Sequence, residues 1–365
     1  YVMQNERRAA IRSEAKRIEK YFIDSGALLI EADSLLSAET LLDLYGEDIR
    51  SRAYVTNDPV MGERMMRPDF TVPIVERHMS EGAEPARYTY NGPVWRMQDA
   101  GSKRETEFIQ VGFEVFDRSN PAKSDAEVFS IFNDILPNNL QTSTGDVGLL
   151  LTAVIGLKTT DLRKAALMRH LWRPKRFQSL MELFSKINNE NNKKNSYSKH
   201  SDKGLQKAIK DAGKFIGLRS ENEIYSRISA LRHDAKTSPI SIEEASVVNK
   251  ILNLKATASE ALLVFEEFEK IIPNMAKAIS GFEARLEALN KRNVNVDKLP
   301  FEGSYGLTSM EYYDGFVFSF SDGDTIIASG GRYDALTAVL GAGREIPAVG
   351  GVIRPDAFIR GGEKC

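Results

Sequence analysis

Two strand-like segments, residues 87–97 (RYTYNGPVWRM) and 107–116 (EFIQVGFEVF), constrain this chain more than any other feature. Alternation at period two marks strands with one face buried. The polar stretch QDAGSKRET between them is too long for a two-residue hairpin and reads as a loop joining neighbouring strands. An amphipathic helix precedes them at residues 6–23, where Ile11, Ala15, Ile18 and Phe22 recur at helical spacing. A helix is expected over 124–135, and 147–156 reads as an apolar element leading out of the core. Strand signals then almost vanish from 160 to 292, where DLRKAALMRHLW, RFQSLMELFSK, SEALLVFEEFEKIIPNMAKAI and GFEARLEALNK read as amphipathic helices. The β pattern returns at 310–320 (MEYYDGFVFSF), 324–328 (DTIIA) and 347–353 (PAVGGVI), with SGGRYDALTAVLG turning into a helix between the last two. Strands on either side of a helical block predict an α+β fold with one antiparallel sheet and an insertion. The expected division is a core of 1–155 plus 300–365, and a mainly helical insertion at 156–299 with a mobile polar loop near 187–203.

Composition excludes several classes. With 42% hydrophobic and 27% charged residues the chain is an ordinary globular protein, and no apolar run is long enough to span a membrane. The N-terminus is charged and lacks a signal-peptide core, and the one cysteine, Cys365, leaves no internal disulfide, so a cytoplasmic location is expected. A formal charge of −2 does not fit a large nucleic-acid footprint. His78, His170, His200 and His233 are scattered without metal-ligand spacing, so neither a metal nor another cofactor is expected.

Alternation also sorts the side chains. Ile109, Val111, Phe113 and Val115 share one face of the second strand; Phe108, Gln110, Gly112, Glu114 and Phe116 share the other. Gln110 and Glu114 then lie about 13 Å apart across the glycine, making a shallow polar floor that a ligand or another backbone can approach closely. On the neighbouring strand Tyr88, Tyr90, Gly92, Val94 and Arg96 share a side. Asp69 and Thr71 in RPDFTVP add a carboxylate and a hydroxyl, and Tyr312, Tyr313 and Tyr333 add phenols. Such a set suits a small zwitterion, its ammonium on Asp69 or Glu114 and its carboxylate on Arg96. The same residue types equally suit a solvated sheet face on which they pair with one another. Simpler roles are expected elsewhere: Phe316, Phe318 and Phe320 in the core, the GGRYD glycines in a tight strand-to-helix turn, and His78 on a helix surface.

These segments resemble class II aminoacyl-tRNA synthetases, specifically the histidyl-tRNA synthetase family. RPDFT is similar to that family's R-P-E-x-T element, and residues 91–116 resemble its motif 2, with Arg96 at the motif arginine. Gln110 and Glu114 match its histidine-binding glutamine and glutamate. MEYYDGFVF resembles the R-G-L-D-Y-Y-T-G signature, and SGGRYDAL with PAVGG resembles the signature's second half and the start of motif 3. The resemblance implies a class II synthetase-like sheet and a histidine site made of Asp69, Thr71, Arg96, Gln110, Glu114, Tyr312, Tyr313 and Tyr333. Arg104 matches a motif 2 loop arginine and is a candidate anion-binding residue.

The departures carry as much information. Thr308 stands where the signature begins with arginine, and Ala357 where motif 3 ends in one; a neutral side chain cannot stabilise the charge of adenylate formation. The stretch 28–36 lacks the proline of motif 1, and with the sequence stopping soon after motif 3 no anticodon-binding domain like that of the synthetases is expected. That pattern, with TGDVGLLLTAVIGL and MRHLWRP, resembles the regulatory subunits of ATP phosphoribosyltransferase. The resemblance implies a non-catalytic subunit of histidine biosynthesis that forms a homodimer within a hetero-octamer. Such a subunit activates a short-form catalytic subunit and mediates feedback by L-histidine, with tRNA not an expected partner. The alternatives are a divergent synthetase or amino-acid-activating ligase, against which Thr308 and Ala357 speak, and a stand-alone amino-acid- or tRNA-binding protein.

Overall fold

The computed structural model describes residues 2–45, 47–102, 104–186, 202–211, 220–307 and 312–361. Twelve strands are described: β1 Leu28–Leu29, β2 Leu35–Ser37, β3 Val55–Asp58, β4 Gly62–Met66, β5 Ala86–Trp95, β6 Glu107–Phe116, β7 Gln141–Asp146, β8 Lys255–Thr257, β9 Pro300–Glu302, β10 Phe316–Asp322, β11 Thr325–Arg332 and β12 Ala348–Ile353. Nine form one sheet in the order β1-β5-β6-β12-β11-β10-β7-β9-β8, antiparallel except at β1–β5 and β7–β9. The pair β5–β6 is the longest, with Tyr88 opposite Glu114, Tyr90 opposite Gly112 and Gly92 opposite Gln110. Opposed residues share a face, so the two alternating sets expected from the sequence merge into one surface.

The other face of the sheet carries the core. Phe316, Phe318 and Phe320 are buried there against Phe129 of the helix Pro121–Ile135, which begins earlier than expected because Asn120 caps it and Pro121 opens it. Phe22, at the end of the buried stripe of the helix Val2–Asp24, meets Phe113 and Phe132 at 5.4 Å each. Each such ring contributes roughly 1.5–3 kcal/mol by burial.

The stretch 156–299 is mostly helical, and three of its helices start with capping boxes, Ser220 with Glu223, Ser241 with Glu244 and Thr257 with Glu260. It also reaches the sheet, since β8 pairs with β9 at the sheet's far end. The helix Ala276–Asn290 packs on the helix Pro121–Ile135. Of the polar loop expected near 187–203, residues 187–201 lie outside the described residues, while Asp202 and Lys203 open the helix Asp202–Asp211.

Three expectations need correction. The β pattern at 310–320 becomes a strand only from Phe316; Tyr312–Gly315 is turn and coil, with 310 and 311 outside the described residues. The GGRYD glycines do not make the turn. Gly330 and Gly331 lie inside β11, where a Cβ on Gly330 would stand 2.3 Å from the carbonyl oxygen of Gly350. His78 is buried, stacked on Phe116 at 4.0 Å with Nδ1 3.0 Å from the Tyr88 hydroxyl. The helix Thr71–Glu81 lies closer to the β5–β6 surface than its polar residues foretold.

A second sheet, β2-β4-β3, was not expected at all. Its strands are three to five residues long, too short to show alternation. Its middle strand runs directly into Arg67. That buried guanidinium donates from Nε to the Pro93 carbonyl at 2.9 Å, donates from Nη1 to the Ala32 carbonyl, and stacks on Phe70. Arg67 thereby fixes the turn that delivers Asp69 and Thr71 to the edge of β5–β6.

Candidate functional site

Glu114 is the centre of the polar surface. Its side chain is buried in the middle of β6; Oε1 accepts from the Tyr90 hydroxyl at 2.9 Å and Oε2 from the Tyr333 hydroxyl at 2.6 Å. Two glycines make that geometry. A Cβ on Gly112 would lie 2.2 Å from the Tyr90 oxygen, and one on Gly350, opposite Glu114 on β12, would lie 1.5 Å from Oε2. Any larger residue at either position would displace the carboxyl or the phenol. Among the described residues no cation lies within ion-pair distance of Glu114. Burial therefore pushes its carboxyl up to about 8, with the Asp69 charge adding to the rise and the two phenol donors opposing it.

The phenols form a wall beside that carboxyl. Tyr312 and Tyr313 bring their hydroxyls within 3.3 Å of each other, and their rings lie 6.2 and 6.4 Å from Tyr333. Tyr90 stacks on Phe70 at 4.3 Å. Burial, then the Asp69 charge, pushes the Tyr312 hydroxyl up to about 12, and Tyr312 is hydrogen-bonded to Thr71. Tyr90, Tyr313 and Tyr333 are raised well above ordinary tyrosine, first by burial and next by a neighbouring charge or phenol. All four phenols stay neutral; Tyr90 and Tyr333 donate to Glu114, and Tyr312 donates to Tyr313. Asp69 sits at the rim, its Oδ1 accepting from the Thr71 backbone at 3.1 Å.

Of the residues singled out from the sequence, the structure gathers Asp69, Thr71, Glu114, Tyr312, Tyr313 and Tyr333 into one polar cluster. Gln110 lies on the same floor, buried, and its Oε1 accepts no hydrogen bond among the described residues. Arg96 follows the end of β5; its Nε donates to the Pro68 carbonyl at 2.7 Å beside Asp69, and its guanidinium lies 5.6 Å from the Phe108 ring centre. Arg104 is exposed in the loop between the strands, apart from the phenols. Thr308 lies outside the described residues, and Ala357 is buried in the short helix Pro355–Gly361.

Three participants escaped sequence reasoning. Tyr90 was visible as a member of the right face, but its bond to Glu114 depends on the register that sets it over Gly112. Arg354 covers Phe108 at 4.3 Å and pairs with Asp356 at 3.2 Å; burial, then the charges of Arg96 and Arg104, act to lower its pKa while Asp356 opposes them. Asp314, next to the paired tyrosines, holds a neighbouring backbone turn. Neither of the last two left a sequence signal beyond its residue type. Among the described residues no group of three or more His, Cys, Asp or Glu could hold a metal ion, and no helix is long and apolar enough to cross a membrane.

A largely antiparallel sheet with a buried acid and phenols over β5–β6, helices covering its reverse face, and a long helical excursion before its last strands is a class II aminoacyl-tRNA synthetase-like α+β fold. The chain belongs to the histidyl-tRNA synthetase family, whose sequence model matches residues 3–358. Its relatives include the ATP phosphoribosyltransferase regulatory subunit of Allorhizobium ampelinum, 27% identical over 354 residues that cover 90% of this chain and 92% of the relative. That of Rhizobium johnstonii is 29% identical over 359 residues, covering 90% and 92%. Among solved structures it resembles an ATP phosphoribosyltransferase regulatory subunit/histidyl-tRNA synthetase from Bacillus halodurans, with a TM-score of 0.68 at 19% identity, covering 97% of this chain and 79% of that one. A histidyl-tRNA synthetase from Nostoc superposes with a TM-score of 0.58 at 16% identity, covering 98% and 71%.

Proposed function

We propose that this chain is the regulatory subunit of an ATP phosphoribosyltransferase, and that the pocket around Glu114 binds L-histidine as the feedback signal. The shared name of relatives that match nine tenths of its length supports the first half. One observation carries the second: a buried carboxyl ringed by phenols, with no cation among the described residues to neutralise it. A ligand cation answers that deficit. In this reading Glu114 ionises as a charged or N–H-bearing group of histidine enters. Asp69 and Thr71 meet the ammonium, Gln110 offers its free acceptor, and Arg96 turns its terminal nitrogens to the carboxylate.

The subunit is read as non-catalytic because Thr308 and Ala357 replace the arginines that would stabilise a pentavalent phosphate. Its inferred partner is a short-form catalytic subunit, joined through a homodimer within a hetero-octamer in the cytoplasm. Histidine bound here inhibits the partner only by favouring one state of that assembly over another.

The test has two arms. Added to a short-form catalytic subunit, the purified chain should raise its phosphoribosyl transfer and make it histidine-sensitive. Calorimetry on the isolated chain should show L-histidine binding that Glu114→Ala abolishes, since a charged hydrogen-bond partner contributes about 1.5–3 kcal/mol. ATP–pyrophosphate exchange dependent on histidine would instead make this chain a ligase and end the proposal.

A further inference from the structure

The phenol wall is assembled from two stretches of chain that reach the pocket separately. Tyr312 and Tyr313 precede β10, and Tyr333 follows β11. What sets their relative position is Asp314. Its Oδ1 accepts from the backbone N–H of Asp334 at 3.1 Å and its Oδ2 from that of Ala335 at 2.5 Å, while its own N–H donates to the Arg332 carbonyl at 3.0 Å. These three bonds attach to the chain on both sides of Tyr333.

The segment has little room to settle elsewhere. A Cβ on Gly315 would lie 3.0–3.2 Å from the Arg332 side chain, and one on Gly148 would lie 3.0 Å from the Asp314 carbonyl oxygen. The Val147 N–H donates to the Gly315 carbonyl at 2.9 Å, holding the strip against the helix Val147–Gly156. The strip is packed on the sides facing Arg332 and that helix. The carboxylate is its attachment to the chain that carries Tyr333.

We infer that Asp314 is a positioning residue for the ligand pocket: its carboxylate clamps Tyr312–Tyr313 to Tyr333, and the pocket has its binding shape only while that clamp is closed. The inference rests on the reading of this pocket as an amino-acid site. It goes beyond that reading, because the R-G-L-D-Y-Y-T-G signature has a threonine at this position, so the clamp does not come with the resemblance.

The clamp is proton-dependent. Both oxygens accept only while the group is ionised; once protonated, one of them becomes a donor facing an N–H. Burial pushes this carboxyl up to about 7; the Asp334 charge adds to the rise, while the Ala335 and Asp334 amides and Arg332 oppose it. The charged groups gathered around it are Arg332 from β11, Asp334, Asp125 held by Arg332, and Asp146, which caps the helix Val147–Gly156 and is paired with Arg285. A folded-state value above the ordinary carboxyl value means the ionised clamp is complete above about pH 7 and is lost as pH falls through it. Glu114, pushed up to about 8, lowers affinity in every variant as pH falls, so the clamp is read as the difference between wild type and Asp314→Asn.

The experiment measures L-histidine affinity by calorimetry between about pH 6 and pH 8.5 on the intact chain, on Asp314→Asn and on Asp314→Ala. Both proteins should lose affinity as Glu114 takes up its proton, but wild type should lose roughly tenfold more than Asp314→Asn between about pH 7.5 and pH 6. Asp314→Ala should bind roughly tenfold more weakly than wild type at about pH 8, a loss of about 1.4 kcal/mol, with its thermal midpoint nearly unchanged. An Asn variant that follows the wild-type pH profile, or an Ala variant that binds like wild type, would overturn the clamp. Amide hydrogen exchange at Asp334 and Ala335 without ligand provides an independent readout. Both amides should be protected in wild type above about pH 7 and exposed in Asp314→Ala. Equal protection in the two proteins removes the clamp whether or not histidine binds. Protection lost on substitution, with no histidine binding by wild type, leaves the clamp standing and refutes the histidine site instead.

Discussion

On the helix-covered face of the sheet, Asp125 and Asp146 are gripped by arginines; on the pocket face, Glu114 is met, among the described residues, by phenols and by no cation. Arg285 bridges Asp125 at 3.2 Å and Asp146 at 2.5 Å, and Arg332 pairs with Asp125 at 2.6 Å and Asp334 at 3.0 Å. The Arg285 guanidinium lies 5.0 Å from the Phe282 ring centre and 4.6 Å from that of Phe316. In that network acids and guanidiniums satisfy one another, and the arrangement ties the helix Ala276–Asn290 to the helix Pro121–Ile135 and to β11. Across the sheet the acid is equally buried, yet among the described residues no cation pairs with it. Buried charge that is matched internally serves structure; buried charge left unmatched beside neutral donors is available to a ligand.

The comparison can be broken at either end. The largest effect is expected from Arg285→Leu, which leaves Asp146 without its guanidinium. Stability in urea should fall by about 3 kcal/mol while the folded protein keeps its histidine affinity. A parallel fall in affinity would show that the two faces are not separate in function.

The next effect is of opposite sign. Glu114, with a folded value near 8, holds its proton more tightly in the folded than in the unfolded chain. Its contribution to stability is therefore complete below about pH 4.3 and is lost as pH rises through about 8. Asp314 adds a loss in the same direction up to about pH 7. Without ligand, Glu114→Gln should gain about 2 kcal/mol relative to wild type at about pH 9 and little at about pH 5, read from thermal midpoints. A variant less stable at both values would mean that Glu114 is matched after all.

The smallest effect belongs to Gln110→Ala. Affinity should drop by about 1 kcal/mol, and stability should hold or rise slightly because a buried acceptor without a partner is removed. A large loss of stability would assign Gln110 to the fold rather than to the ligand.

Much of the pocket face could be read from the sequence because strand alternation is a local property. The ten residues of β6 place Gln110, Gly112 and Glu114 on one side without any tertiary information. The spatial order of the strands was harder: Gly350 comes to lie against Glu114 from a strand more than two hundred residues away, and only the fold shows it. The glycines at 330 and 331 suggested a turn because turns are their commonest use, whereas close strand packing required them. His78 looked superficial because its neighbours on the helix are charged; its own ring fits between Tyr88 and Phe116. The arginine–aspartate network was invisible, since Asp125, Asp146, Arg285 and Arg332 are scattered along the chain and carry no motif.

Arg332 and Tyr333 are consecutive, yet the guanidinium turns to Asp125 and the phenol to Glu114, on opposite sides of the sheet. Inserting or deleting one residue in β11 would exchange them, sending a cation into the pocket and a phenol into the salt network. A change of length should be tolerated better in the loop from Gly341 to Pro347 than in β11. The connection to β12 leaves room for such a change; the frame of β11 does not.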